Sequence, residues 1–228
     1  MADQQEATPL LDNSRPVNSN QTHLHPRLAT VVQRHLHTLH RGQISDYSRR
    51  AYAHAVEALG SNPRPLVIDS FCGTGHSTAL LAQRHPDHFV IGIDKSAHRL
   101  GKHRGNLCPD YCLLQANCED IWALLTQDKF RAAYHYILYP NPWPKARHLQ
   151  RRIHGHASLP HLLALGGQIE LRSNWQLYVE EFGSALHLAG HHGSVARVSN
   201  SNTPLSLFEH KYRQSGHDLW SFRGRISQ

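Results

Sequence analysis

A doubly wound α/β fold, with a mostly parallel sheet and helices on both faces, is what this 228-residue sequence predicts. Three observations predict it. Short runs that are apolar on both faces recur along the chain: LVID from Leu66, FVIGID from Phe89, YCLLQ from Tyr111, AYHYILY from Ala133 and GGQIELRS from Gly166. Each is followed by a stretch with helical spacing, and strands apolar on both faces need a helical crossover on each side to cover them. No internal repeat is visible, which argues against a solenoid or propeller.

The elements follow in order. Residues 1–22 are rich in Gln, Asn, Ser and Asp and poor in aromatic and branched side chains, so they read as a flexible tail. Residues 23–228 read as one domain, because this length supports a single substantial core. Its first part, 23–62, is a helical extension with stretches at Pro26 to His40 and Ser45 to Leu59; the second carries Ala51, Ala55, Val56 and Leu59 at helical spacing. The turn Asn62-Pro63-Arg64-Pro65 ends it. Helices are then expected after Gly75, from Ser96 and across Ile121 to Leu125, between successive strands.

Charge and cysteine usage narrow the function classes. Lys and Arg number 24 against 17 Asp and Glu, a formal charge of +7 that favours a polyanionic partner. The chain has no run of 18 apolar residues and no charged-then-apolar start, so neither a membrane span nor a signal peptide is expected, and a cytoplasmic location is. Four cysteines at this length imply a reducing compartment. Cys108, Cys112 and Cys118 fit no common zinc spacing, so no metal is expected. No exposed apolar stripe chooses between monomer and homodimer.

Three successive strand ends carry ligand-binding chemistry. Val67-Ile68-Asp69-Ser70-Phe71-Cys72-Gly73-Thr74-Gly75 closes a strand on an acid and turns into a helix, and Gly73 and Gly75 let a ligand approach the backbone. The glycine spacing is neither a dinucleotide fingerprint nor a phosphate-binding loop. Asp94 ends the next strand, where a carboxylate can accept from both hydroxyls of a ribose. Asn117 follows the third, and its amide can both donate to and accept from an adenine edge. Asp69 and Asp94 could also serve only as helix caps. The ordered layout resembles the class I S-adenosylmethionine-dependent methyltransferase fold, which implies a Rossmann-like seven-stranded sheet, with Asp69 near the methionine part of the cofactor.

The segment after the fourth strand narrows the resemblance. In Tyr139-Pro140-Asn141-Pro142-Trp143-Pro144-Lys145, the prolines fix an extended exit from the sheet. Lys145, Arg147, Arg151 and Arg152 then offer phosphate contacts that position RNA without reading its sequence. This run resembles the hallmark of the bacterial tRNA (guanine-N7)-methyltransferase family, a phenylalanine-proline-aspartate-proline-tryptophan segment followed by basic residues. Leu171 to Trp175 with Tyr178, Ser206 to Glu209 and Gly216 to Trp220 resemble three further family segments in the same order, and the likeness runs from about Arg41 to Arg223. The resemblance implies S-adenosylmethionine as cofactor and tRNA as partner. It places Asp69, Asp94 and Asn117 at the cofactor and Asn141, Lys145 and Asn174 at catalytic and substrate-binding positions. Glu209 and Ser206 would approach cofactor or target base from the carboxyl-terminal side.

Guanine N7 carries a free lone pair, so its methylation needs no general base, while a carboxylate helps by balancing the charge that arrives on the ring. The family has Asp where this chain has Asn141 and Asn174, and usually Gly where it has Phe71. Both amides keep an acceptor and lose the charge, leaving Glu209 as the candidate carboxylate facing the base. Slower or altered activity is therefore expected. Two alternatives stay open: transfer to an exocyclic amine, which Asn141-Pro142-Trp143 suggests, and a paralogue that binds RNA or cofactor with little transfer.

Overall fold

The structure, a computed structural model, describes residues 14–38, 42–61, 64–105, 109–201 and 203–227. The first thirteen residues of the expected tail, Arg41, the Asn62-Pro63 half of the expected turn and Cys108 lie outside the described residues. Seven strands form one sheet among them: β1 (Leu66–Ser70), β2 (Phe89–Asp94), β3 (Tyr111–Gln115), β4 (Ala132–Leu138), β5 (Gly167–Ser173), β6 (His192–Arg197) and β7 (Trp220–Ile226). Their spatial order is β3-β2-β1-β4-β5-β7-β6. β1 to β5 are parallel, and β7 runs antiparallel between β5 and β6. The chain steps outward from β1 to β3 and then returns to β4 on the other side, so a crevice opens beyond the carboxyl ends of β1 and β4.

Strand periodicity divides the core in two. Ile68, Ile91, Ile137 and Ile169 face one way, into a core completed by α1 (Leu28–Leu36), α2 (Asp46–Ser61), α5 (Cys118–Gln127), α6 (Leu159–Ala164) and α7 (Gln176–Leu188). Val67, Val90, Tyr136 and Leu138 face the other way, where α3 (His76–Arg84) supplies Leu81 and Ala82. The expected strands and crossovers are therefore present, with helices on both faces. β1 and β2 are buried at every residue, as their unbroken apolar runs require.

Local chemistry trims several elements. The helix expected over Pro26 to His40 spans Leu28–Leu36, its expected last two residues, 39 and 40, lying outside the described residues. The helix expected from Ser96 is one turn, α4 (Ala97–Leu100), capped by the Ser96 hydroxyl accepting from the Arg99 amide at 3.3 Å. Residues 14–22, read from composition as part of a flexible tail, are instead bonded to the domain. Ser19 Oγ donates to the Pro144 carbonyl at 2.6 Å, and Gln21 Nε2 donates to Glu181 at 2.6 Å. Sparse apolar content says nothing of such polar anchoring. No described helix is long and apolar enough to cross a membrane, and no described group of His, Cys, Asp or Glu could hold a metal ion.

Candidate active site at the carboxyl ends of the sheet

Beyond the ends of β1 to β4 lies a cavity of about 620 Å³. One wall carries Phe71, Asp94, Lys95, Arg99, Asn117 and Glu119; the opposite wall carries Tyr139, Asn141, Trp143 and Arg151, with Phe208 and Tyr212 of α8 (Leu207–Gln214) above. Two of the three expected strand-end groups, Asp94 and Asn117, thus meet the loop after β4 across one space.

The loop after β1 is shaped by left-handed backbone. Gly73 and Gly75 have φ of 62° and 74°, a region that costs glycine nothing. A Cβ at Gly75 would lie 2.6 Å from the Leu113 side chain, whereas at Gly73 the nearest group is the Phe208 ring at 3.9 Å, so only the Gly73 side is open. Phe71 is left-handed as well, at φ 64°, a strained conformation for a residue with a side chain. Its ring meets Trp122 edge-on at 6.0 Å.

Asp94 is 1% exposed and closely held: Oδ2 accepts from the Gly73 amide at 3.0 Å, and Oδ1 accepts from the Ser96 amide at 2.8 Å and from Arg99 at 3.0 Å. Asn117 begins α5, with its amide nitrogen donating to Asp120 at 3.2 Å. Asp69 differs from its expected place beside the cofactor. It is fully buried off the cavity wall, and its Oδ2 accepts from the Ser77 and Thr78 hydroxyls at 2.7 Å each, tying β1 to the first turn of α3. Burial pushes its carboxyl up to about 6, against the opposing effect of those hydroxyls.

On the target side, Asn141 is exposed, and its Oδ1 accepts from the Trp143 amide at 3.3 Å, closing a tight turn. Tyr139 and Trp143 have φ of 55° and 47°, so two more strained residues shape this loop. The Arg151 guanidinium lies 4.9 Å from the Trp143 ring centroid, a cation–π contact that leaves its charge outward. Lys145 and Arg147 are exposed beside the cavity without lining it.

Four further expected site residues are held by contacts that sequence reasoning did not predict. Arg152 has no exposed surface: it pairs with Glu181 at 2.5 Å and is not available to a phosphate. Glu209 is likewise buried, bound at 2.9–3.0 Å by Arg172 and at 2.5 Å by Arg213, so its charge is already neutralised and does not face a base. Ser206 caps α8 by accepting from the Glu209 amide at 3.1 Å; serine followed three residues later by glutamate is a helix-start pattern, and that signal was present in the sequence. Asn174 stands off the cavity, 3.2 Å from His217 Nδ1. Conversely, sequence reasoning missed Phe208 and Tyr212, a helical i, i+4 pair whose rings stack at 6.1 Å and line the cavity. It also missed Lys95 and Arg99, which line the cavity beside Asp94, Arg99 pairing with it at 3.0 Å.

Comparison with known proteins bears on the family and the fold. A family model described as "Putative methyltransferase" matches residues 63–222. The tRNA (guanine-N(7)-)-methyltransferase of Sodalis glossinidius is 28% identical over 208 residues, 85% of each chain. That of Nitrosospira multiformis is 25% identical over 83% of this chain and 93% of its own. Among solved structures, a 16S rRNA methyltransferase superposes with a TM-score of 0.58 at 16% identity, over 82% of this chain and 96% of its own, a likeness of fold alone.

Proposed function

Since this chain belongs to the methyltransferase family whose model it matches, we infer that it transfers a methyl group from S-adenosylmethionine to N7 of guanine in tRNA. The observation that carries the reading is the single cavity joining the Asp94 and Asn117 wall to the Asn141 to Arg151 loop. It offers a nucleoside-sized polar wall on one side and an aromatic, basic wall on the other.

The residues present fit the adenosine half of such a cofactor. Asp94 would take the ribose hydroxyls, with Arg99 yielding or sharing its place, and the Asn117 oxygen would accept from the adenine amine. The open side of Gly73 leaves room for the methionine half, narrowed by Phe71 and Phe208. S-adenosylmethionine, when bound, supplies an electrophilic methyl on a sulfonium. The chain's task is then alignment, because in-line displacement by a lone pair requires the two reactants to be held at a fixed approach. Asn141 presents an amide to the guanine edge, Phe208 and Tyr212 cover the ring and exclude water, and Arg151 with the exposed Lys145 and Arg147 holds the RNA backbone. Among the described residues no carboxylate is free on the target side, since Glu209 is paired with two arginines. The developing positive charge is therefore balanced poorly, and turnover is slow.

The deciding experiment incubates bulk tRNA with the protein and labelled S-adenosylmethionine and identifies the labelled nucleoside by mass spectrometry. N7-methylguanosine is expected. N6-methyladenosine alone would overturn the reading in favour of an exocyclic amine. Labelled cofactor retained by the protein with no product would favour the binding module, which the neutralised Glu209 makes the second reading.

A further inference from the structure

Glu181 of α7 sits at the centre of a buried network outside the cavity. Its carboxylate accepts from Arg152 at 2.5 Å, His154 Nε2 at 2.9 Å, Gln21 Nε2 at 2.6 Å and the His25 amide at 2.8 Å, and Arg152, His154 and Glu181 have no exposed surface. Burial alone would raise this carboxyl, but His154 and Arg152 hold it at about 2, so the group is charged at any working pH. From this anchor Arg152 reaches into the loop after β4. Its Nε donates to the Trp143 carbonyl at 3.2 Å, and its second terminal nitrogen donates to Gln21 Oε1 at 3.0 Å and to the Lys145 carbonyl at 3.5 Å. Its plane also lies 4.9 Å from the Trp175 ring centroid. The carbonyl between those of residues 143 and 145, that of Pro144, accepts from the Ser19 hydroxyl at 2.6 Å.

Three successive carbonyls, those of residues 143, 144 and 145, are thus held from outside the loop. Pro140, Pro142 and Pro144 have no N–H, so the loop has few donors with which to hold itself. Trp143, at the centre, is in a strained left-handed conformation that persists only where its surroundings over-determine it. A buried ion pair adds little net stability compared with apolar packing, because desolvation offsets the attraction; what a fully bonded polar network does supply is orientation.

We propose that Ser19, Gln21, Arg152 and Glu181 form a clamp of positioning residues that holds the Tyr139–Lys145 loop in the shape presenting Asn141 and Trp143 to the target base. The proposal rests on the reading of that loop as the target-base wall. It assigns the amino-terminal segment a part in the reaction without placing it in the cavity. Gln21 is the element that closes the clamp: its amide donates to Glu181 and accepts from Arg152 at once. A carboxylate there would accept from Arg152 but repel Glu181.

Gln21→Glu is therefore the test, with the exchanged pair Gln21→Glu/Glu181→Gln as the rescue and Ser19→Ala as a mild second variant. Two readouts are taken on the full chain: hydrogen exchange of peptides covering 139–152, and methyl-transfer kinetics on tRNA. In Gln21→Glu, exchange in this segment is expected to rise and kcat to fall, each by roughly tenfold, the equivalent of one lost interaction. KM for S-adenosylmethionine should stay unchanged, because the Asp94 wall is untouched. Ser19→Ala should do the same more weakly, and the exchanged pair should restore both in part, because a glutamine at 181 that donates to position 21 no longer accepts from the His25 amide. Unchanged exchange across 139–152 in both Gln21→Glu and Ser19→Ala would overturn the clamp, as would increased exchange with kcat intact. So would a uniform rise across the whole chain in both variants, since that marks a purely structural role. If the unaltered protein methylates no tRNA, the functional reading fails, and exchange alone then decides whether the loop is clamped.

Discussion

Asn141 and Asn174 are alike in chemistry and unlike in place. Asn141 stands on the cavity wall, whereas Asn174 pairs with His217 outside it. Asn141→Asp should therefore raise the initial rate of tRNA methylation about tenfold, the scale of one added charge-assisted interaction. Asn174→Asp should leave the rate nearly unchanged, and labelled-methyl transfer to bulk tRNA distinguishes the two. Glu209→Gln tests the role of that acid: Arg172 keeps Glu170 at 2.6 Å but loses a buried partner, so thermal unfolding should reveal a loss of about 1–3 kcal/mol. At this scale the sequence was legible where chemistry is local. Asp94 and Asn117 are read from their own strand ends; the capping pattern at Ser206 is just as local, although Ser206 was expected at the cofactor or target base. Arg152 and Glu209 were misread because burial is decided by Glu181 and Arg172, far away along the chain and adjacent only after folding.

The two 3-10 turns after the cavity loop, Ala146–Arg151 and Ile153–Gly155, sort a run of basic residues into two functions. Arg147 and Arg151 end on the outside, while Arg152, one residue on, ends on the inside. Arg151→Ala should lower the slope of log affinity against log salt for tRNA by about one, as loss of one phosphate contact does. Arg152→Ala should leave that slope alone and lower the melting temperature, because the buried Glu181 carboxylate loses its guanidinium partner. A basic run read by composition alone could not show this division, since a 3-10 turn advances side chains by a different angle from an α-helix or a strand. The strands were legible because buried parallel strands must be apolar along their length. The single turn of α4 and the shortened α1 were not, because helix length depends on which neighbours arrive to cover it.

Across the whole molecule, the buried centre of the sheet sets the response to acid. His135, fully buried with Nε2 2.8 Å from the Ser70 hydroxyl, is held by burial at about 3, well below its ordinary 6.5. The stability it contributes is present above pH 6.5 and is lost as pH falls toward 3. Asp69 acts in the opposite sense: its carboxyl, raised from 3.8 to about 6, favours the folded state at low pH and loses that contribution as pH rises through 6. The two oppose each other between about 6 and 4; below that His135 continues to act, and Glu181, depressed from 4.5 to about 2, adds a loss of its own. Denaturant titrations at several pH values should thus show stability falling most steeply below pH 4, with the slope flattened in His135→Phe. The left-handed backbone of Phe71, Tyr139 and Trp143 bears on heredity as well as on energy, because all three border the same cavity. Each stores on the order of 1–3 kcal/mol that a glycine would release. A lineage or a library under selection for heat alone would be drawn to Phe71 and Trp143, whose rings are only partly buried, and not to Tyr139, whose buried ring is worth at least as much as its strain; it would gain tolerance while losing walls of the cavity. Their persistence under selection for heat would mark the cavity as the part of the chain that still matters to its host.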